Sequence, residues 1–183
     1  MSKTQVTTGA ARLSYANIWE PRPNLSGIEK YSSVVLIPKS DKATIKAIEV
    51  AIEEAFQIGL KTKFDNKKAG VKLDALKDGD EVNEDGEGKG PEFKGMMYLN
   101  ASANKQPIVL DRDRNQLLDK TKCYSGVWAN VALNFYPFAA SGNKGVAVGL
   151  EAIRVLKDDE PLGGILTTES AKSRFEEVDE DDI

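Results

Sequence analysis

The chain has 183 residues, 40% apolar and 30% charged, with a formal net charge of −4, no histidine and one cysteine. That length suits one globular domain with a sizeable core. Without histidine, and with Cys123 alone, an internal disulfide, the usual zinc centres and every histidine-based acid, base or triad are excluded.

Strand patterning begins in VTTGAARLSYANIW (6–19), is interrupted at Gly9 and is expected to end at Pro21 and Pro23, which cannot donate to a ladder. KYSSVVLI (30–37) is a β-branched run whose block 34–37 predicts burial on both faces, and Pro38 stops it. From Ser40 the period changes. Ile45, Ile48, Ile52, Ala55 and Phe56 recur at steps of three and four with Lys46, Glu49, Glu53 and Glu54 opposite, which predicts an amphipathic helix capped by Ser40, fading near Gly59 and covering a β-core. Residues 61–95 are polar and glycine-rich, and 78–90 lacks apolar periodicity, so a flexible insertion is expected there.

GMMYLNASA resumes a strand over 96–101, PIVLD (107–111) follows a short turn, and DRDRNQLLD reads as a loop with one helical turn. YSGVWANVALNFYPF (124–138) and GVAVGLEAIRVL (145–156) then form a hairpin around Gly142 and Asn143. About six strands and one helix predict a mainly β chain closed as a small barrel. No run of about eighteen apolar residues marks a membrane span, and the N-terminal residues lack the apolar block of a secretory signal, so a cytoplasmic protein with no membrane partner is expected.

The stretch 124–138 carries the strongest functional signal. Side chains of a strand alternate between two faces, so Val127, Ala129, Val131, Leu133 and Phe135 share a core face. The other face holds Tyr124, Gly126, Trp128, Asn130, Ala132, Asn134 and Tyr136, a row of rings separated by small or amide side chains. Such a row suits bases stacking on rings while a positive groove follows the phosphates. Tyr124, Trp128 and Tyr136 are the candidate rings, Asn130 and Asn134 the candidate contacts to base edges or sugars, and Lys105, Arg112, Arg114, Lys120, Lys122 and Lys144 the candidate phosphate contacts. Tyr15, Trp19, Tyr31 and Tyr98 extend the path. The same alternation also fits a second small core beneath the helix or the insertion; the amides favour an open face, because burying each without a partner costs about 1–3 kcal/mol.

Charge placement agrees with a polyanion partner. The last eight residues, EEVDEDDI, hold Glu176, Glu177, Asp179, Glu180, Asp181 and Asp182 and no base, so the rest of the chain carries +2; without 78–90 as well, six acids against Lys89, it carries +7. An acidic tail ending in Ile183 is expected to compete for the groove, at roughly millimolar effective concentration, and to contact protein partners, or simply to solubilise. The glycine runs 86–90 and 142–145 lack phosphate-loop spacing, Val82 stands where a calcium loop needs a ligand, and Cys123 is expected to pack. Two alternatives are a magnesium-dependent nuclease using Asp111, Asp113 and Glu92, and a structural virion β-protein whose rings form an assembly interface.

The blocks TTGAARLSYANIWEP, KYSSVVLIPKSDK, DGDE, FKGMMYLNASANKQPIVLD, YSGVWANVALNFYPF and GNKGVAVGLEAIRVLKDDEPLGG, followed by the acidic tail, resemble in that order the phage family of OB-fold single-stranded-DNA-binding proteins, long catalogued as a domain of unknown function. The resemblance runs over about 9–164 plus the tail. It implies a five-stranded Greek-key barrel over 1–168 with a flexible acidic tail at 169–183, no enzymatic activity, and a role coating single strands during phage DNA replication and recombination. Replication or recombination proteins are the expected tail partners, no metal or cofactor is expected, and a homo-oligomer is left open.

Overall fold

In the computed structural model, which describes residues 2–162 and 171–175, the strands are β1 (Gln5–Thr7), β2 (Ala11–Pro23), β3 (Glu29–Pro38), β4 (Val71–Lys72), β5 (Lys77–Asp78), β6 (Met96–Ala103), β7 (Ile108–Leu110), β8 (Trp128–Ala140) and β9 (Asn143–Lys157); α1 spans Lys42–Thr62. Five of the strands close on themselves. β2 pairs β3 and β3 pairs β6, both antiparallel; β6 meets β9 in parallel at Ser102 and Gly149; β9 pairs β8 along its length; and β8 returns to β2 at Ala129–Ala11 and Trp128–Arg12. This is the expected OB barrel, with α1 inserted between its second and third strands and β1, β4, β5 and β7 as short additions at its rim.

The inward residues of β8 are those the alternation predicts: Ala129, Val131, Leu133 and Phe135 are all buried, as is Val127 just before the strand. They share one core with Leu13, Ile18, Val35, Ile37, Leu99 and Ile153, and α1 adds Ile48, Ala51, Ile52, Ala55 and Phe56 to it. Leu36, of opposite parity, is buried instead with Phe93 and Tyr98 in a small second cluster on the barrel's outer surface, which explains the continuous apolar block 34–37.

The structure corrects four expectations. β2 runs on through Pro21 to Pro23, pairing Arg22 with Lys30 and Pro23 with Glu29; that part of β2 has β3 as its ladder partner on one side, so a missing N–H on the other is tolerated. The helix cap is Asp41, whose carboxylate accepts from Thr44 N at 3.1 Å, and α1 continues past Gly59 to Thr62. The 78–90 segment is not a free loop at its base: Lys39 Nζ bridges Asp78 and Asp80 at 2.7 Å each, Asp80 also accepts from Gly95 N, and Phe93 seats the far end against Tyr98. The hairpin turn is Ser141–Gly142, with φ of 51° and 80° between paired Ala140 and Asn143, the double positive φ of a tight two-residue turn.

Candidate nucleic-acid interface

The outward residues of the second and third barrel strands are Ser32 and Val34 on β3 and Asn100 and Ser102 on β6, placed opposite one another in register. Two adjoining depressions share Asn100 and Ser102. One is lined also by Tyr15, Asn17, Ser32 and Val34; the other by Lys72, Asp74, Lys77, Phe138, Ala147 and Val148. Together they make a continuous groove across β3, β6 and the start of β9, polar in its floor and basic at one end.

Rings flank this groove because of local backbone features. The register of β2 against β3 jumps between Ser14 and Asn17, so Tyr15 and Ala16 form a bulge that turns Tyr15 outward while Ala16 packs against the core. Tyr15 sits at φ 47°, a region a bulky residue rarely adopts, and its side chain is 60% exposed. The bulge is held by Ser125 Oγ, which accepts from Ala16 N at 2.9 Å. At the other end, Gly145 on β9 leaves room for a ring of β8, since a β-carbon there would lie 3.1 Å from Phe138 Cε1, while the Tyr136 ring lies beside Gly149, its Cε1 in ordinary contact distance of 3.7 Å from where a β-carbon would stand. Tyr136 is 38% exposed.

The remaining rings are differently placed. Tyr98 is only 7% exposed, edge-on to Phe93 with ring centroids 5.1 Å apart and the Lys89 ammonium 5.4 Å from its centroid, so its face is closed. Tyr31 has the inward parity of Ser33 and Val35 and is half-buried at the start of β3. Trp19 donates its indole N–H to Cys123 O at 2.9 Å, with Lys120 Nζ 6.0 Å from its ring. Lys105, Arg112 and Arg114, on loops, and Lys122, in a short 3-10 turn, are exposed and line neither depression, while Lys144 opens β9 beside β4.

The strand expected from Tyr124 begins only at Trp128; Trp128 and Tyr124, in the turn before it, lie at the opposite end of β8 from Tyr136, which is eight residues or roughly 26 Å along the strand from Trp128. They are bound by an internal acidic segment. Trp128 Nε1 donates to Asp159 at 2.8 Å, and the Tyr124 hydroxyl donates to Asp158 at 3.2 Å and to the Asp159 carbonyl at 3.0 Å. Arg12 donates to the carbonyls of Gly126 and Glu160 and stands 3.7 Å from the Asp159 carboxylate, and Lys157 Nζ lies 5.3 Å from the Trp128 ring centroid. The indole bond, then the Glu160 amide and the two cations, hold the Asp159 carboxyl below its ordinary value. Partial burial, with the Asp158 bond, raises that of the Tyr124 hydroxyl.

Asn130 is engaged at both ends of its amide: it donates to Thr8 O at 3.0 Å and accepts from Nε and Nη2 of Arg154. It orients an arginine rather than facing a base. Asn134 is half-buried beside Gly149. Asp111 shapes its own loop by accepting from the amides of Asp113 and Asn115 at 2.9 Å, and no group of three or more acidic or cysteine side chains among the described residues is arranged to hold a metal. No helix among them is long and apolar enough to cross a membrane. The tail residues 176–183 and the 168/169 boundary lie outside the described residues.

Lys72, Lys77, Phe138, Arg12, Arg154 and Lys157 were not among the sequence candidates. For Arg154 the reason is a bulge. Val146, Val148 and Leu150 point inward, and strict alternation would send residue 154 inward too, but the register shift at Glu151 turns Ala152 and Arg154 outward.

The family model described as Enterobacter phage Enc34, ssDNA-binding protein, matches residues 4–183. Protein p50 of Acyrthosiphon pisum secondary endosymbiont phage 1 is 30% identical over 171 residues, spanning 86% of this chain and 87% of its own. The solved structure of the single-stranded DNA-binding protein from bacteriophage Enc34 in complex with ssDNA is similar at a TM-score of 0.68 and 29% identity, over 88% of this chain and 91% of that one. The fold is shared, at a TM-score of 0.58 and 13% identity over 87% of this chain and 95% of that one, with gp2.5, a single-stranded DNA binding protein encoded by bacteriophage T7. A family match over nearly the whole length, joined to a similar fold, establishes that the chain belongs to the Enc34 family of phage ssDNA-binding proteins, a family of binding proteins and not of enzymes.

Proposed function

We propose that the chain binds single-stranded DNA in the groove over β3, β6 and the start of β9, stacking bases on Tyr15 and Tyr136 and directing phosphates toward Lys72, Lys77 and Lys144. The observation that carries this reading is Tyr15, a ring turned outward by a bulge at φ 47° above the shared floor of the second and third barrel strands, the face that OB folds use for oligonucleotides. Recognition by stacking tolerates sequence, because every base has a π-face, and each stacked base contributes about 1–3 kcal/mol. Such binding suits a protein that coats single strands in the host cytoplasm during phage replication and recombination. The acidic residues of 176–183 compete for the same lysines when DNA is absent and recruit replication proteins when DNA displaces them.

Fluorescence anisotropy of labelled oligo-dT tests this. Tyr15→Ala and Tyr136→Ala each lower affinity about tenfold, in line with loss of one stacked base, with unchanged melting temperature, and deletion of 176–183 tightens binding at low salt. A wild-type chain that leaves anisotropy unchanged at low salt overturns the proposal; a tail deletion that binds no tighter removes the competition.

A further inference from the structure

We infer that the outward face of β8 and β9 between Gly149 and Lys157 is a second phosphodiester-binding surface, on which a single strand leaving the groove continues, with Arg154 as its cationic fork and the Asp159 carboxylate occupying one of its anion positions. This rests on the groove reading above and extends it.

The first support is the state of Arg154. The residue is half-buried, and two of its guanidinium donors are bound to the amide oxygen of Asn130, whose amide nitrogen is in turn fixed on Thr8 O. An amide orients a guanidinium without neutralising it, and Arg154 makes no ion pair among the described residues. A guanidinium carries five N–H donors in a rigid fork matched to phosphate oxygens, so a positioned and uncompensated fork on an open strand face is poised for an anion.

The second support is independent of it. Where β8 begins, an anion is already seated: Asp159 accepts from the Trp128 indole N–H at 2.8 Å, with Arg12 at 3.7 Å and Lys157 over the indole ring. A carboxylate and a phosphodiester present the same acceptor chemistry to these donors, and a nucleic acid brings a base that the Trp128 ring can stack.

Continuity is the third. Ser102 of the groove floor pairs with Gly149, which pairs with Asn134; the next outward pairs along the same two strands are Ala132 with Ala152, Asn130 with Arg154, and Trp128 with Lys157. The groove and the Arg154 face thus meet at Gly149, and small side chains line the way between them.

The test uses the full chain and two oligo-dT probes, one of roughly 6 nucleotides that fills the groove alone and one of roughly 24 that exceeds a single OB site. Arg154→Gln is expected to weaken the long probe about three- to tenfold and to lower the slope of log K against log salt by about 0.7, the share of one single-strand phosphate, while the short probe binds as before. Asp159→Asn, which empties the anion position without removing a cation, is expected to tighten the long probe alone. If Arg154→Gln binds the long probe like the wild type, or loses both probes equally, Arg154 is only a brace for the barrel and the inference falls. Should Arg154→Gln melt at a lower temperature, Asp159→Asn decides: no length-dependent gain overturns the second surface. A wild-type chain that binds neither probe overturns the groove instead.

Discussion

The ring of Phe64 folds back over Gly59 in the last turn of α1, so that a β-carbon on the glycine would run into it. Both Lys63 N and Phe64 N donate to Gly59 O at 2.8 Å, which fixes the reversal. Gly59→Ala therefore gains about 1 kcal/mol of helix propensity and loses about 1–3 kcal/mol to overpacking, a net destabilisation of about 1 kcal/mol measured by urea denaturation. Pairing it with Phe64→Ala in a double-mutant cycle shows positive coupling, since the two side chains contend for one space.

Helix capping separates two neighbouring residues. Asp41→Ala costs about 1 kcal/mol of stability, because it leaves Thr44 N without its acceptor. Ser40→Ala changes stability by less than about 0.5 kcal/mol. Thermal melts of the two variants check the assignment.

The node at Lys39 fixes the acidic segment only while all three groups are charged. Lys39 bonds hold the carboxyls of Asp78 and Asp80 below their ordinary 3.8, and the two carboxylates hold Lys39 above its ordinary 10.5. The sign follows by linkage: the contribution is complete above pH 3.8 and is lost as pH falls through the depressed carboxyl values, and it is complete below 10.5 and lost as pH rises through the raised lysine value. The protection factor of the Gly95 amide, which donates to Asp80, is expected to drop as pH falls through the depressed carboxyl values below 3.8, and to drop at neutral pH in Lys39→Met.

The second cluster distinguishes packing from binding. Phe93→Ala is expected to destabilise the protein by about 3 kcal/mol, the low end for a buried phenylalanine, by opening the cover over Leu36 and Tyr98. Tyr98→Phe is expected to leave both stability and oligo-dT affinity unchanged, because its ring is enclosed by Phe93 and Lys89.

Burial pushes the Cys123 thiol up to about 12. The native chain is expected to resist a thiol-reactive disulfide reagent at pH 8, where the thiolate is scarce, and to react once unfolded in guanidinium.

Much of this architecture was legible in the pattern of side chains. The inward face of β8, the amphipathic helix and the doubly buried block 34–37 all follow from period and burial, which are local properties. What local pattern missed comes from irregular backbone and from long-range contact. The bulge at Tyr15 made an undistinguished tyrosine the most open ring of the groove, and the bulge at Glu151 reversed the facing of Arg154. Tyr98 has the parity of an exposed residue, but Phe93, in the 3-10 turn just before β6, and Lys89 cover its ring. Trp128 and Tyr136 share the outward face of β8, but β8 starts only at Trp128 and not at Tyr124 as the alternation predicts; Tyr124 lies in the preceding turn, packed partly against the core, and Asp158 and Asp159, from beyond the end of β9, bind both Tyr124 and Trp128.

β9 is the strand on which closure depends: residues 143–157 pair with β8, with β4 at Lys144, with β6 at Gly149 and with β7 at Ala152–Arg154. During synthesis β6 and β8 have no partner to bridge them until that stretch has cleared the ribosome, so the nascent chain carries unpaired strand edges for most of its elongation. A message truncated before codon 143 is therefore expected to yield an open sheet with unpaired edges on β6 and β8, because every pair that bridges them lies in β9.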